Sequence, residues 1–220
     1  MMRARKRVVF LLRKQKTMVM IPEHIDITIP ADHIPGPAQG QWNYEQYATL
    51  PDDGQHYEIV NGVLYMAPAP NRWHQRTVLK IATRLEALID QQKLGEVYTG
   101  PFDVRLRENT VVQPDVLVVL NAHLDRLTES GVIGAPDLVI EVASPATATY
   151  DRREKYDAYA QAGVPEYWLV DPATHTVEAR VLEGRTYALL GLCKEGEKMR
   201  SRIIPTIKAI AVSDFFASAE

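Results

Sequence analysis

Apolar residues recur along this chain in two rhythms. Val78, Ile81, Ala82, Leu85, Leu88 and Ile89 follow the three- and four-residue spacing of one helix face. Asn71 stands where it can accept the first free amides of that helix, and Gly95 lies beyond its end. Elsewhere the runs are short and read as strands. Tyr57-Glu58-Ile59-Val60 and Val63-Leu64-Tyr65-Met66 flank Asn61-Gly62, a pair suited to the positive φ of a tight hairpin turn. Asp115-Val116-Leu117-Val118-Val119-Leu120 and Asp137-Leu138-Val139-Ile140-Glu141-Val142 are nearly continuous apolar runs, as expected of strands covered on both faces.

The remaining pattern completes an order of helix, four strands, helix and strand. A short helix is predicted over 44–50, strands over 96–99 and 102–106 around Gly100-Pro101, and a helix over 151–162. Gly163-Val164-Pro165 then leads into a strand over 166–170. Runs over 177–182 and 187–190, joined by Glu183-Gly184-Arg185, predict a C-terminal hairpin at the sheet edge. The fold class is α/β, a mixed sheet flanked by helices with an added hairpin at each end. Residues 29–40, with Pro30, Pro35, Gly36, Pro37 and Gly40, read as an extended linker. Residues 1–40 are therefore expected to lie outside the fold and 41–220 to form one domain.

Composition narrows the function classes. A chain of 220 residues, 46% apolar, suits one α/β core. The single Cys193 excludes an intrachain disulfide or a cysteine metal cluster and fits a reducing compartment, so a cytoplasmic protein is expected. No apolar run approaches the roughly 18 to 20 residues of a membrane span, so no membrane partner is expected. Residues 1–16 carry Arg3, Arg5, Lys6, Arg7, Arg13, Lys14 and Lys16 and no acid, but 8–12 is too short for a secretory apolar core. The segment reads as a basic arm or, given Met18 and Met20, as a start placed too far upstream.

The net charge of −3, or about −10 without the arm, argues against a passive nucleic-acid-binding module. It argues less against a nuclease, which needs acids for metal. Glycine-rich phosphate loops, H-E-x-x-H and G-x-S-x-G do not occur, which removes the usual support for nucleotide hydrolysis, dinucleotide redox chemistry, zinc proteolysis and serine hydrolysis.

What remains are Asp115 and Glu141, acids at the ends of two apolar runs, and Lys155 on a predicted helix. Acids in such surroundings need a partner, and a divalent cation is one. If the strand ends are adjacent, both carboxylates and the main-chain carbonyl of Val142 can hold one magnesium or manganese ion. Lys155 then orients or deprotonates water, or pairs with phosphate. Each residue also has a plainer reading. Asp115 could pair with Arg105 or Arg107, and Lys155 could belong to a solvated face with Asp151, Arg152, Arg153, Glu154 and Asp157. Tyr167 and Trp168 read as packing residues, and Asp171-Pro172 as a strand-ending turn.

Pro114-Asp115, then Glu141-Val142-Ala143-Ser144-Pro145, Asp151-Arg152-Arg153-Glu154-Lys155 and Gly163-Val164-Pro165-Glu166-Tyr167-Trp168 resemble the Uma family of putative restriction endonucleases, a branch of the PD-(D/E)xK nuclease superfamily. The resemblance runs from about Tyr44 to Phe215. It implies a restriction-endonuclease-like fold, magnesium- or manganese-dependent hydrolysis of DNA, and a homodimer that presents two sites to two strands. Ala143 stands where the lysine of E-x-K belongs, and the resemblance implies that Lys155 takes its place. Glu58 stands where such families often carry a further acid, and His74 and Gln113 occupy matching polar positions. The alternatives are a catalytically silent nuclease fold serving as a nucleic-acid-binding or assembly module, and a hydrolase of small phosphoesters.

Overall fold

Two sheets part company around a proline, and the candidate residues collect where they part. The computed structural model describes residues 28–144, 147, 150–204 and 209–216. In chain order these form β1 (Ile29–Pro30), α1 (Tyr44–Tyr47), β2 (His56–Val60), β3 (Val63–Ala67), α2 (Arg72–Gln91), β4 (Gly95–Thr99), β5 (Asp103–Arg107), β6 (Thr110–Val112) and β7 (Val116–Leu120). There follow β8 (Gly131–Ile133), β9 (Leu138–Val142), a π-helical turn (Asp151–Lys155) running into α3 (Tyr156–Ala162), β10 (Glu166–Asp171), β11 (Thr176–Glu183), β12 (Thr186–Lys194), β13 (Lys198–Met199) and β14 (Ile210–Ala211).

The single sheet expected from the sequence is two six-stranded sheets, ordered β1-β3-β2-β6-β5-β8 and β12-β11-β10-β9-β7-β4. Both are mixed: β5 and β8 pair in parallel in the first, β9 and β10 in the second. The chain leaves the second sheet after β4, through Gly100-Pro101, and returns to it after β6, through Gln113-Pro114. The two crossings touch, with Gly100 N–H donating to the Asp115 carbonyl at 3.1 Å. Both contain a proline, which has no N–H to continue a ladder.

The alternating side chains of the second sheet feed two cores. On one face Val116, Val118, Leu138, Ile140 and Trp168 meet Ile81, Leu85 and Ile89 of α2, together with Phe215. On the other, Leu117, Val119, Val139, Tyr167 and Leu169 meet Ala158 and Tyr159 of α3 and, from the first sheet, Val60, Val104 and Val112. Trp168 is fully buried, so its removal would cost about 3 to 5 kcal/mol. Asn71 caps α2 as expected, its side chain accepting from Trp73 N–H at 3.0 Å and His74 N–H at 3.1 Å.

Residues 29–40 do not form a linker. β1 pairs with β3, Ala31 is buried, and Gln39 Oε1 accepts from Leu64 N–H at 2.8 Å. Gly36, part of the composition that suggested an extended linker, lets the chain lie close against Trp42. A Cβ on Gly36 would come within 2.3 Å of the indole. Residues 1–27, and with them the basic arm, lie outside the described residues. Both expected hairpins are present, β2 with β3 and β11 with β12. Asn61 and Gly62 take the positive φ values, 51° and 79°, that the first hairpin's turn demands. Among the described residues no helix is long and apolar enough to cross a membrane.

Candidate active site

Pro114 ends the β6 side of the crossing and leaves Asp115 as the first residue aligned with β7. Val116 lies opposite Ile140 in the antiparallel β7–β9 pair. One step further along the same register, Asp115 lies opposite Glu141, and directly opposed residues project from the same face. Asp115 Oδ2 accepts from Val142 N–H at 2.7 Å, so the carboxylate finishes the ladder where β7 has run out of main-chain acceptors. The N–H and C=O of one strand residue point to the same edge, so the Val142 carbonyl also faces this gap. Continued to Pro114, the register offers it no N–H. His74 Nε2 lies 3.1 Å from Asp115 Oδ2, brought there by the first turn of α2. Burial pulls the His74 pKa down, but the hydrogen bond and charge of Asp115 outweigh it and raise it above the ordinary histidine value. Arg105 pairs with Glu108, so the expectation of an Asp115–arginine pair is replaced by the histidine contact.

The helix supplies the cation. Lys155 and Tyr159 are four residues apart and project from one face. Lys155 Nζ lies 2.9 Å from Glu141 Oε1 and 2.8 Å from Glu58 Oε1, and the Tyr159 hydroxyl donates to Glu141 Oε1 at 2.6 Å. Lys155 is only 4% exposed, while Arg152, Arg153 and Asp157 face solvent. The solvated-face reading therefore holds for Arg152, Arg153 and Asp157 and fails for Lys155 and for Asp151, which is buried as well. Ala143, two residues after Glu141, is small enough to leave this locus to an ammonium arriving from the helix. Glu58 reaches in from the inner face of β2, and its Oε1 accepts from Gln113 N–H at 2.6 Å. Gln113 thus meets the site through its main chain. Its side-chain amide donates to Asp103 Oδ1 at 2.8 Å and to the Tyr47 hydroxyl at 3.2 Å.

These residues line one cavity of about 580 Å³, with His74, Glu58, Asp115, Glu141, Asp151 and Lys155 on its wall. Glu58, Asp115, Glu141 and Asp151 bring four carboxylates to one ammonium. Burial pushes Glu141 up to about 7; Lys155 opposes the rise, and Asp115 and Glu58 add to it. Asp151, buried on the π-helical turn, is raised well above the carboxylate range by burial and then by Glu141. Burial would lower Lys155, but Glu141, Glu58 and Asp151 together raise it well above an ordinary lysine. Its nitrogen lies 2.8 and 2.9 Å from two carboxylates, surroundings that favour the ammonium form.

The sequence did not single out Asp151, Tyr159 or Asp103 for the site. Asp151 and Tyr159 flank Lys155 at four-residue spacing and were legible in principle as one helix face. Asp103 arrives from the other sheet and had no such signal. Tyr167 and Trp168 are buried packing residues, and Asp171 caps its turn by accepting from Ala173 N–H at 2.8 Å.

The donor set suits a hard divalent cation. Among the described residues no three His, Cys, Asp or Glu side chains converge as a ready-made ion cage. Magnesium, however, commonly uses one or two carboxylates and keeps several waters. Asp115 Oδ1 and Glu141 Oε2 carry no hydrogen bond among the described residues, and the excess of carboxylate over ammonium is the charge such an ion would offset.

A family model described as "Uma2: Putative restriction endonuclease" matches residues 44–213. A solved structure of a putative nuclease belonging to DUF820, from Anabaena variabilis ATCC 29413, superposes with a TM-score of 0.66 at 16% sequence identity. The match covers 80% of this chain and 97% of that one. No curated protein matches the chain.

Proposed function

Because the chain belongs to the Uma2 family of putative restriction endonucleases, we propose that it is a divalent-metal-dependent endonuclease that hydrolyses DNA phosphodiester bonds. The observation that carries the reading is the buried Lys155 ammonium held between Glu58 and Glu141, beside Asp115, on the wall of an otherwise acidic cavity.

Asp115, Glu141 and the Val142 carbonyl would hold magnesium or manganese, with Glu58 the further carboxylate at hand. When bound, such an ion polarises a phosphoryl oxygen and makes its coordinated water acidic near neutral pH. His74 and the Val142 N–H fix the Asp115 carboxylate, and Tyr159 fixes Glu141, so that both keep one oxygen turned to the substrate. Lys155 presents its ammonium to a non-bridging phosphate oxygen and stabilises the negative charge that grows at phosphorus. A homodimer would present two such sites to two strands.

The test is cleavage of supercoiled plasmid in magnesium or manganese by the wild type beside Asp115→Asn, Glu141→Gln and Lys155→Ala. Nicking by the wild type that all three variants lose is the expected result. Nicking retained by the variants overturns the site. Failure of the wild type to cut any nucleic acid leaves the silent-fold reading in its place.

A further inference from the structure

Glu58, His74, Asp115, Glu141 and Lys155 line the cavity, but α2, which contributes His74, also presents an outer surface beside it. Asn71, His74, Gln75 and Val78 line the cavity from this helix, while Arg72, Trp73, Gln75, Arg76 and Leu79 are exposed. From Arg72 to Leu85 the chain contains Arg72, Arg76, Lys80 and Arg84 and no acid, in a protein whose net charge is −3. Arg84 is paired with Asp214, whereas Arg72, Arg76 and Lys80 have no carboxylate partner among the described residues. Arg72 and Arg76 also occupy the first two turns of a helix, the positive end of its dipole, where cations destabilise and anions are favoured. Trp73 is 55% exposed, and the Arg72 guanidinium lies 4.2 Å over its ring.

We infer that Arg72, Trp73, Arg76 and Lys80 form the track on which one nucleic-acid strand enters the cavity, with an unpaired base stacked on Trp73. The inference rests on the nuclease reading above and narrows its substrate to one with unpaired nucleotides beside the cut. The geometry suits a single strand. Arg72 to Lys80 spans about 12 Å of helix, enough for a short stretch of extended strand to follow. The cations track the backbone, and the indole offers the flat face on which bases stack irrespective of sequence. Inside a duplex each base already has neighbours on both faces, so only the end pairs leave the indole a face to stack on.

Intrinsic fluorescence tests this directly, because Trp42 and Trp168 are buried and Trp73 is the exposed tryptophan of the chain. The full chain is titrated in EDTA with a short oligothymidylate and with a short blunt duplex, so that nothing is cut. Oligothymidylate should quench the emission at lower concentration than the duplex. Trp73→Ala should weaken oligothymidylate binding, read by anisotropy of a labelled strand, by roughly tenfold to a hundredfold. The triple variant Arg72→Gln/Arg76→Gln/Lys80→Gln should reduce the slope of log affinity against log salt by about 2.

Unchanged emission at saturating oligothymidylate, equal quenching by the duplex, or variants that bind like wild type would overturn the inference. So would an emission change that depends on protein concentration alone, which would mark a second copy seated on Trp73. The two readings fail separately. Quenching without cleavage sinks the nuclease and leaves the track, while cleavage with unaffected Trp73 and cation variants sinks the track and leaves the nuclease.

Discussion

Glu141 and Glu166 sit on adjacent parallel strands of one sheet, both almost without solvent, and they are in opposite situations. Glu166 lies on the α2 face. Its Oε1 accepts from Trp168 Nε1 at 2.6 Å, and its Oε2 from Ser201 Oγ, Arg202 N–H and Ile203 N–H at 3.1, 2.9 and 3.0 Å. All are neutral donors in a closed core. Glu141 lies on the opposite face. Its Oε1 is shared by Lys155 and Tyr159, its Oε2 is left to the cavity, and Glu58, Asp115 and Asp151 crowd it. Burial alone therefore does not mark a reactive acid. A buried carboxylate whose donors saturate it ties the chain together, whereas one left short of donors among like charges is set to receive something from outside.

The sharpest way to break the contrast is to neutralise each acid in turn. Glu141→Gln should leave a folded protein and lower plasmid cleavage by roughly a thousandfold. Glu166→Gln should leave cleavage per folded molecule near wild type. Equal losses of cleavage in the two variants would erase the distinction.

Removing a partner has the next largest effect. Lys155→Met strands Glu58 and Glu141 in the core and should lower the unfolding free energy in urea, without metal, by about 3 to 5 kcal/mol. Glu166→Ala strands the Ser201, Arg202 and Ile203 donors and should cost about 3 kcal/mol in the same measurement. Magnesium discriminates more finely. At a hundredfold excess over its dissociation constant it should stabilise the wild type by about 2.7 kcal/mol. That gain should vanish in Asp115→Asn and Glu141→Gln and survive in Glu166→Gln, as thermal melts with and without the ion would report.

Glu141 and Glu166 also mark the limit of what the sequence can say. Each adjoins an apolar run, and most of what separates them is distant in sequence: apart from Trp168, two residues on, the donors of Glu166 come from Ser201, Arg202 and Ile203, and those of Glu141 from a helix. Features set by neighbours in the chain were readable: the Asn61-Gly62 turn, the Asn71 cap, the strand beginning after Pro114. The parting of β4 and β5 into different sheets was not, since it depends on partners distant in sequence. Nor was the packing of residues 29–40, because prolines and glycines suit a spacer and a close-fitting wrap equally well. For the site, Asp115, Glu141, Lys155, Glu58 and His74 are brought together as the sequence suggested. Gln113 joins through its amide N–H, which no side-chain reading could anticipate.

Lys155 arrives with Asp151 on the turn that leads into α3, whereas Glu58 and Glu141 come from strands, and this sets the order in which the centre is assembled. Until α3 docks, the sheets hold a cluster of acids with no cation. The cost of that state should bind helix docking and charge balance into one cooperative event. In native-state hydrogen exchange, the amides of α3 should open together with the loss of the site, well before the central strands β7, β9 and β10 exchange.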